Sequence, residues 1–195
     1  MAELPIYKIS FPEAKILADL DSLGNDLKIL MEMLLRLLEG GDDDITKSAF
    51  FSSGLIIYRR CFNSGVRNGL TRADVEALPN NAIELHDYLY NQANRLVAHS
   101  VNPFEQTTVG IVVAEEKAVG VATLHTRLVN FDREGINQWG SLVKLIGNTV
   151  INPRIDAARA AVKAKADAMP ISEIIAGGLC SYAPPGPDAA GKPRA

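Results

Sequence analysis

The sequence predicts a mainly α-helical bundle with a β-hairpin inserted at about residues 107–125, and three observations carry that reading. Apolar residues recur at alternating steps of four and three along much of the chain, the spacing that lines one face of a helix. One segment switches to β-branched, partly alternating character, the mark of paired strands. Helical spacing then resumes. A chain of 195 residues is long enough for one well-buried core and short for two. One domain over residues 1–178 with a flexible tail over 179–195 is therefore expected.

The first helix is expected from Phe11 to Glu39, where Ile16, Leu20, Leu23, Leu27, Leu30, Leu34 and Leu37 form one seam. Leu17, Met31, Leu35 and Leu38 widen the seam, which favours a helix inside a bundle over a two-chain coiled coil. Gly40-Gly41 stops it. A second helix follows from about Ile45 with Asp44 as N-cap. Phe50, Gly54, Ile57 and Cys61 line its face, broadened by Phe51, Leu55, Tyr58 and Phe62, and Gly54 lets a neighbouring helix approach closely. Thr71-Arg72-Ala73-Asp74 has capping-box spacing and opens a short helix.

A longer helix is expected from Asn80 or Asn81 to His99 or Ser100, with Ile83, Tyr90, Ala93 and Val97 facing the core. Residues 107–113 and 119–124 then read as strands around a charged turn at 114–118. A lone hairpin is marginal in water, so it must pack on the helices or pair with a partner chain. From about Arg133 helical spacing returns through Ile136, Trp139 or Gly140, Val143, Ile146 and Val150. Pro153 is expected to interrupt it, before an alanine-rich helix to Met169 and a short turn at 171–176.

Hydrophobic residues at 47% and charged residues at 22% are a globular balance, not a disordered one. A net charge of −3 supplies no overall basic field for nucleic acid, so any such binding rests on a local basic face. Cys61 and Cys180 stand far apart and in no CxxC or Cys/His cluster, which argues against zinc; no cofactor is expected. His86 and His99, 13 residues apart, project about 140° from each other on a helix and do not make a two-histidine metal site. His125 reads as a surface or packing residue. The start lacks a signal-peptide pattern and no window reaches about 18 uninterrupted apolar residues, so a cytoplasmic protein without membrane insertion is expected.

The chemistry-bearing pattern lies on the helix that ends near His99. Asp87, Asn91, Arg95 and His99 fall at steps of four and trace one slanting polar stripe. Spacing alone is more often that of a solvated helix face, with a histidine near the C-terminus favoured by the helix dipole. Arg95 and His99 are close enough to act on one anion, a fixed cation beside a titratable ring. Metal-free RNA cleavage needs those two functions, a base for the 2′-hydroxyl and a cation for the phosphate.

The string Asn94-Arg95-Leu96-Val97-Ala98-His99-Ser100, with Leu85-His86-Asp87-Tyr88 before it and Val101 to Glu105 after it, resembles the signature helix of HEPN-type proteins. The upstream Tyr58-Arg59-Arg60-Cys61-Phe62 is similar as well, so the resemblance spans residues 45–105 at most. It implies a helical bundle that dimerises with signature helices facing each other, and in active members an RNA-cleaving site. His99 matches the signature histidine. Counting back over four intervening residues, the signature arginine position holds Asn94, and the arginine comes one place later at Arg95. One place is a rotation of about 100° on a helix. Either Arg95 acts from altered geometry, or Arg59 or Arg60 of the preceding helix replaces it, or the site does not cleave; the departure favours the last.

The expected catalytic candidates are thus His99 and Arg95, and the binding candidates Asn94, Asn91, Arg59 and Arg60. Three functions follow: a HEPN-like module that oligomerises, most simply as a homodimer, and associates with RNA in defence or stress responses; a metal-independent ribonuclease using His99; or a structural adaptor bundle whose hairpin meets a partner protein.

Overall fold

The computed structural model describes residues 5–62, 67–98, 105–128 and 130–180. It is a mainly helical bundle with one two-stranded antiparallel hairpin, as expected. The helices are α1 Pro12–Glu39, α2 Asp44–Cys61, α3 Arg72–Glu76, α4 Ala82–Ala98, α5 Arg133–Ile146, α6 Asn152–Asp167 and α7 Ile171–Ala176. The strands β1 Glu105–Ala114 and β2 Lys117–Arg127 lie between α4 and α5.

The leucine seam of α1 is the spine of the bundle. Leu20, Leu23, Leu27, Leu30 and Leu34 are buried, and α1 packs on α2, α5 and α6 of its own chain. The bundle reading of that seam therefore holds over the coiled coil. Ile16, its first member, is exposed. The core is closed by Phe51, Leu55 and Tyr58 from α2, Leu89 and Ala93 from α4, and Ile136, Trp139 and Ile146 from α5. Gly54 is where α2 meets this core most tightly. A β-carbon there would lie 3.1 Å from Leu30 Cδ1 and 3.2 Å from the Trp139 ring.

Asp43, not Asp44, caps α2, accepting from the Thr46 amide at 2.9 Å. The buried face of α2 is Phe51, Gly54, Leu55, Tyr58 and Cys61, with Phe50 and Ile57 only half-buried. Thr71 and Asp74 form the reciprocal capping box at the start of α3. Asp74 also pairs with Arg154 of α6, which ties the small helix to the far end of the chain.

Pro153 does not interrupt its helix. A π-helical turn, Gly147–Ile151, joins α5 to α6, and the backbone stays right-handed helical on both sides. Proline lacks an amide proton and its ring crowds the carbonyl four residues earlier in a regular helix. The wider turn accommodates both defects, with the Asn152 amide bonding Gly147 five residues back. The α6 helix beyond it buries no residue completely.

Leu179 and Cys180, expected to belong to the tail, are held against the start of the described chain. Leu179 bridges Tyr7, the Lys8 amide bonds Gly178 O at 2.8 Å, and the Cys180 amide bonds Ile6 O at 2.7 Å. This clasp brings the two ends of the described chain together. Residues 181–195 lie outside the described residues.

The hairpin is longer than expected and its turn tighter. Ten residue pairs run from Glu105↔Arg127 to Ala114↔Lys117, with a bulge after Val112. Glu115 and Glu116 make the turn, both with positive φ. Of the two expected fates, packing on the helices is not realised: side chains 106–126 are exposed except Ala122, which is half-buried.

Candidate functional site

The C-terminal half of α2 meets α4, and of the candidate residues Arg59 lies at that seam. The sequence placed Ile83, Tyr90, Ala93 and Val97 on the core face of α4. Ala93 is buried as expected, together with Ala82, His86, Leu89 and Gln92, and the side chain of Val97 lies outside the described residues. Ile83 and Tyr90 are half-buried at its edges. The face is rotated toward His86 because α2 supplies an aromatic and hydrogen-bonding lining for that ring.

His86 Nδ1 lies 3.0 Å from the Tyr58 hydroxyl. Its ring packs in tilted contacts with Phe62 at 4.4 Å and Tyr90 at 5.8 Å, centroid to centroid. Burial lowers the His86 pKa and pushes the Tyr58 phenol far above its usual range. The ring is therefore neutral and the phenol protonated, so Tyr58 can donate to Nδ1. The pair is a satisfied core network, not a proton-transfer site open to a ligand. Sequence reasoning passed over it, although Ala82, His86, Leu89 and Ala93 already had the four-three-four spacing of a core face.

Arg59 sits at the outer edge of this cluster. Its guanidinium carbon lies 5.9 Å from the Tyr90 ring centre, a cation–π contact. Its Nε is buried without a hydrogen-bond partner among the described residues. Tyr90 is midway along α4, one turn before Asn94, so Arg59 meets the middle of that helix. Asn94 is half-buried, while Asn91 and Arg95 are exposed. His99 lies outside the described residues.

Arg60 is placed differently. It points to α1 and pairs with the buried Asp26, whose second oxygen accepts from Arg67 at 2.9 Å. Asp87, the first member of the polar stripe, is held by Arg72 through bonds of 3.0 and 2.7 Å, which keep its carboxyl below the usual range. That end of the stripe is a tether between α3 and α4. Cys61 is no nucleophile: burial pushes its thiol up to about 12. Among the described residues no cluster of His, Cys, Asp and Glu could hold a metal ion, and no helix is long and apolar enough to cross a membrane.

No family model matches the chain, and neither a curated protein nor a solved structure gives a significant match.

Proposed function

We propose that this chain is a HEPN-like helical module that oligomerises and associates with RNA at the open edge of the α2–α4 seam, binding rather than cleaving it, in a defence or stress response. The observation that supports this reading most is Arg59. It is half-buried, has no carboxylate partner among the described residues, and leaves its Nε unpaired beside Tyr90. A partly desolvated guanidinium without a countercharge favours an arriving anion. Arg36, Arg60, Arg67, Arg72, Arg154 and Arg159, by contrast, are all matched to carboxylates. The half-buried Tyr90 adds an aromatic edge to this site, and Arg95 adds an exposed cation further along α4. Asn94 at the signature arginine position can hydrogen-bond a phosphate but cannot neutralise it.

The test is anisotropy titration with a labelled single-stranded RNA at fixed low salt. Arg59→Gln is expected to weaken binding about tenfold, the ~1–2 kcal/mol of one charge-assisted contact. Arg60→Gln, whose charge is already met by Asp26, is expected to change it less than about threefold. Equal loss in both variants, or no binding by the unaltered protein, refutes the reading. RNA cleavage that vanishes in a folded His99→Ala variant would replace it with the ribonuclease.

A further inference from the structure

The hairpin is the most unusual surface of the molecule. Val109, Ile111 and Val113 of β1 share one face with Val121 of β2, because paired residues project to the same side and alternate ones return to it. All are well exposed, Ile111 at 60% and Val121 at 69%. The opposite face is more broken: Gly110, Gly120 and Ala122 lie at its centre, between the exposed Val112 and Leu124. Between residues 106 and 126 the only charges are Glu115, Glu116 and Lys117 at the tip. A two-stranded ribbon without cover is marginal in water, and an aliphatic face of this kind marks a contact surface.

We propose that the aliphatic face of this arm packs on the same face of a second copy of this chain, about a two-fold axis through Ile111. This inference takes up the oligomerisation proposed above and gives it a surface; it does not depend on the RNA association. The register makes the face complementary to itself. With antiparallel arms and Ile111 on the axis, Val109 of one copy meets Val113 of the other, and the acidic tip reaches the level of Thr107 and His125. Those two side chains are joined at 2.8 Å and offer hydrogen-bonding groups to the Glu115 and Glu116 carboxylates. No strand charge opposes its own image across the axis. Strands this long present, with their rims, on the order of 700 Å² on one side, close to the ~800 Å² that each partner contributes to a standard interface. The tip chemistry disfavours other occupants: two carboxylates to one lysine repel RNA phosphate and anionic lipid alike.

The experiment is sedimentation equilibrium on the full chain and its Ile111→Glu and Ile111→Lys variants. The unaltered protein is expected to be a dimer at micromolar concentration. Each variant places like charges on the axis and is expected to raise the dimer dissociation constant at least 100-fold with helical circular dichroism unchanged. An equimolar mixture of the two is expected to regain the dimer mass, which misfolded variants could not do. A dimer that persists in Ile111→Glu overturns the arm as the interface and leaves the oligomerising module standing. A monomeric unaltered chain overturns both, and its cosedimentation with neutral phosphatidylcholine vesicles would assign the arm to a membrane surface instead.

Discussion

His86 and Tyr58 show how a single pair sets the character of the α2–α4 seam. Each satisfies the other in a site too buried for water to replace either. His86→Phe is expected to cost about 1–3 kcal/mol, because the Tyr58 hydroxyl is left buried and unpaired. Tyr58→Phe orphans Nδ1 in the same way, so the double variant should cost less than the sum of the two, measured by urea unfolding. The depressed His86 pKa fixes the sign of a pH effect. Below about pH 6.5 the unfolded chain takes up a proton that the folded ring refuses, so stability falls as pH drops from there toward the lower folded value. Above that window both states are neutral and the slope from this residue vanishes. His86→Phe should flatten the stability difference between pH 7.5 and pH 5.5; an unchanged slope would place the titrating group elsewhere. Asp26 is the complementary case. It was hidden in the sequence as one polar residue within a leucine-rich helix, and became a core residue only because Arg60 and Arg67 arrive from a distant part of the chain.

Among the elements, the hairpin turn carries visible strain. Glu115 and Glu116 both adopt positive φ, a conformation that Asn-Gly takes readily and glutamate does not. Replacing the pair with Asn-Gly is expected to stabilise the arm by about 1 kcal/mol and slow amide exchange along its ladder roughly fivefold. Unchanged exchange would show that the turn is not what limits the arm. Gly177 presents the opposite constraint. A β-carbon there would sit 2.3 Å from the Lys8 carbonyl oxygen, against backbone that cannot yield. Gly177→Ala should therefore open the clasp between the chain ends, seen as lost protection of the Lys8 and Cys180 amides with the bundle intact. The Pro153 helix shows the limit of a local rule. The proline was legible and so was its conflict with a regular helix, but the π turn that resolves the conflict depends on residues 147–151 packing as they do on α1.

For the whole molecule, the arm and the bundle are separable. Glu105 and Arg127 are partners at the foot of the ladder, so residues 106–126 can be replaced by a two-residue Asn-Gly turn. The bundle's melting temperature is expected to move by less than about 3 °C, since the arm's side chains contribute no buried core. A loss several times larger would mean that the arm braces the helices. The same deletion should abolish the dimer proposed for the arm while leaving RNA association at Arg59 in place. Two functions assigned to two separable parts can thus be tested apart.

The sequence by itself determined the helices, the capping box at Thr71–Asp74, the α1 seam as a bundle spine and the existence of the hairpin, because periodicity and turn chemistry are local properties. It also singled out Arg59, Asn91, Asn94 and Arg95, whose residue types carry their chemistry with them. Only the tertiary structure decided which arginine is neutralised, that His86 belongs to the core, and that the hairpin leaves the helices uncovered. Those outcomes depend on which groups from distant parts of the chain reach one another, and burial, countercharge and desolvation exist only once they have done so.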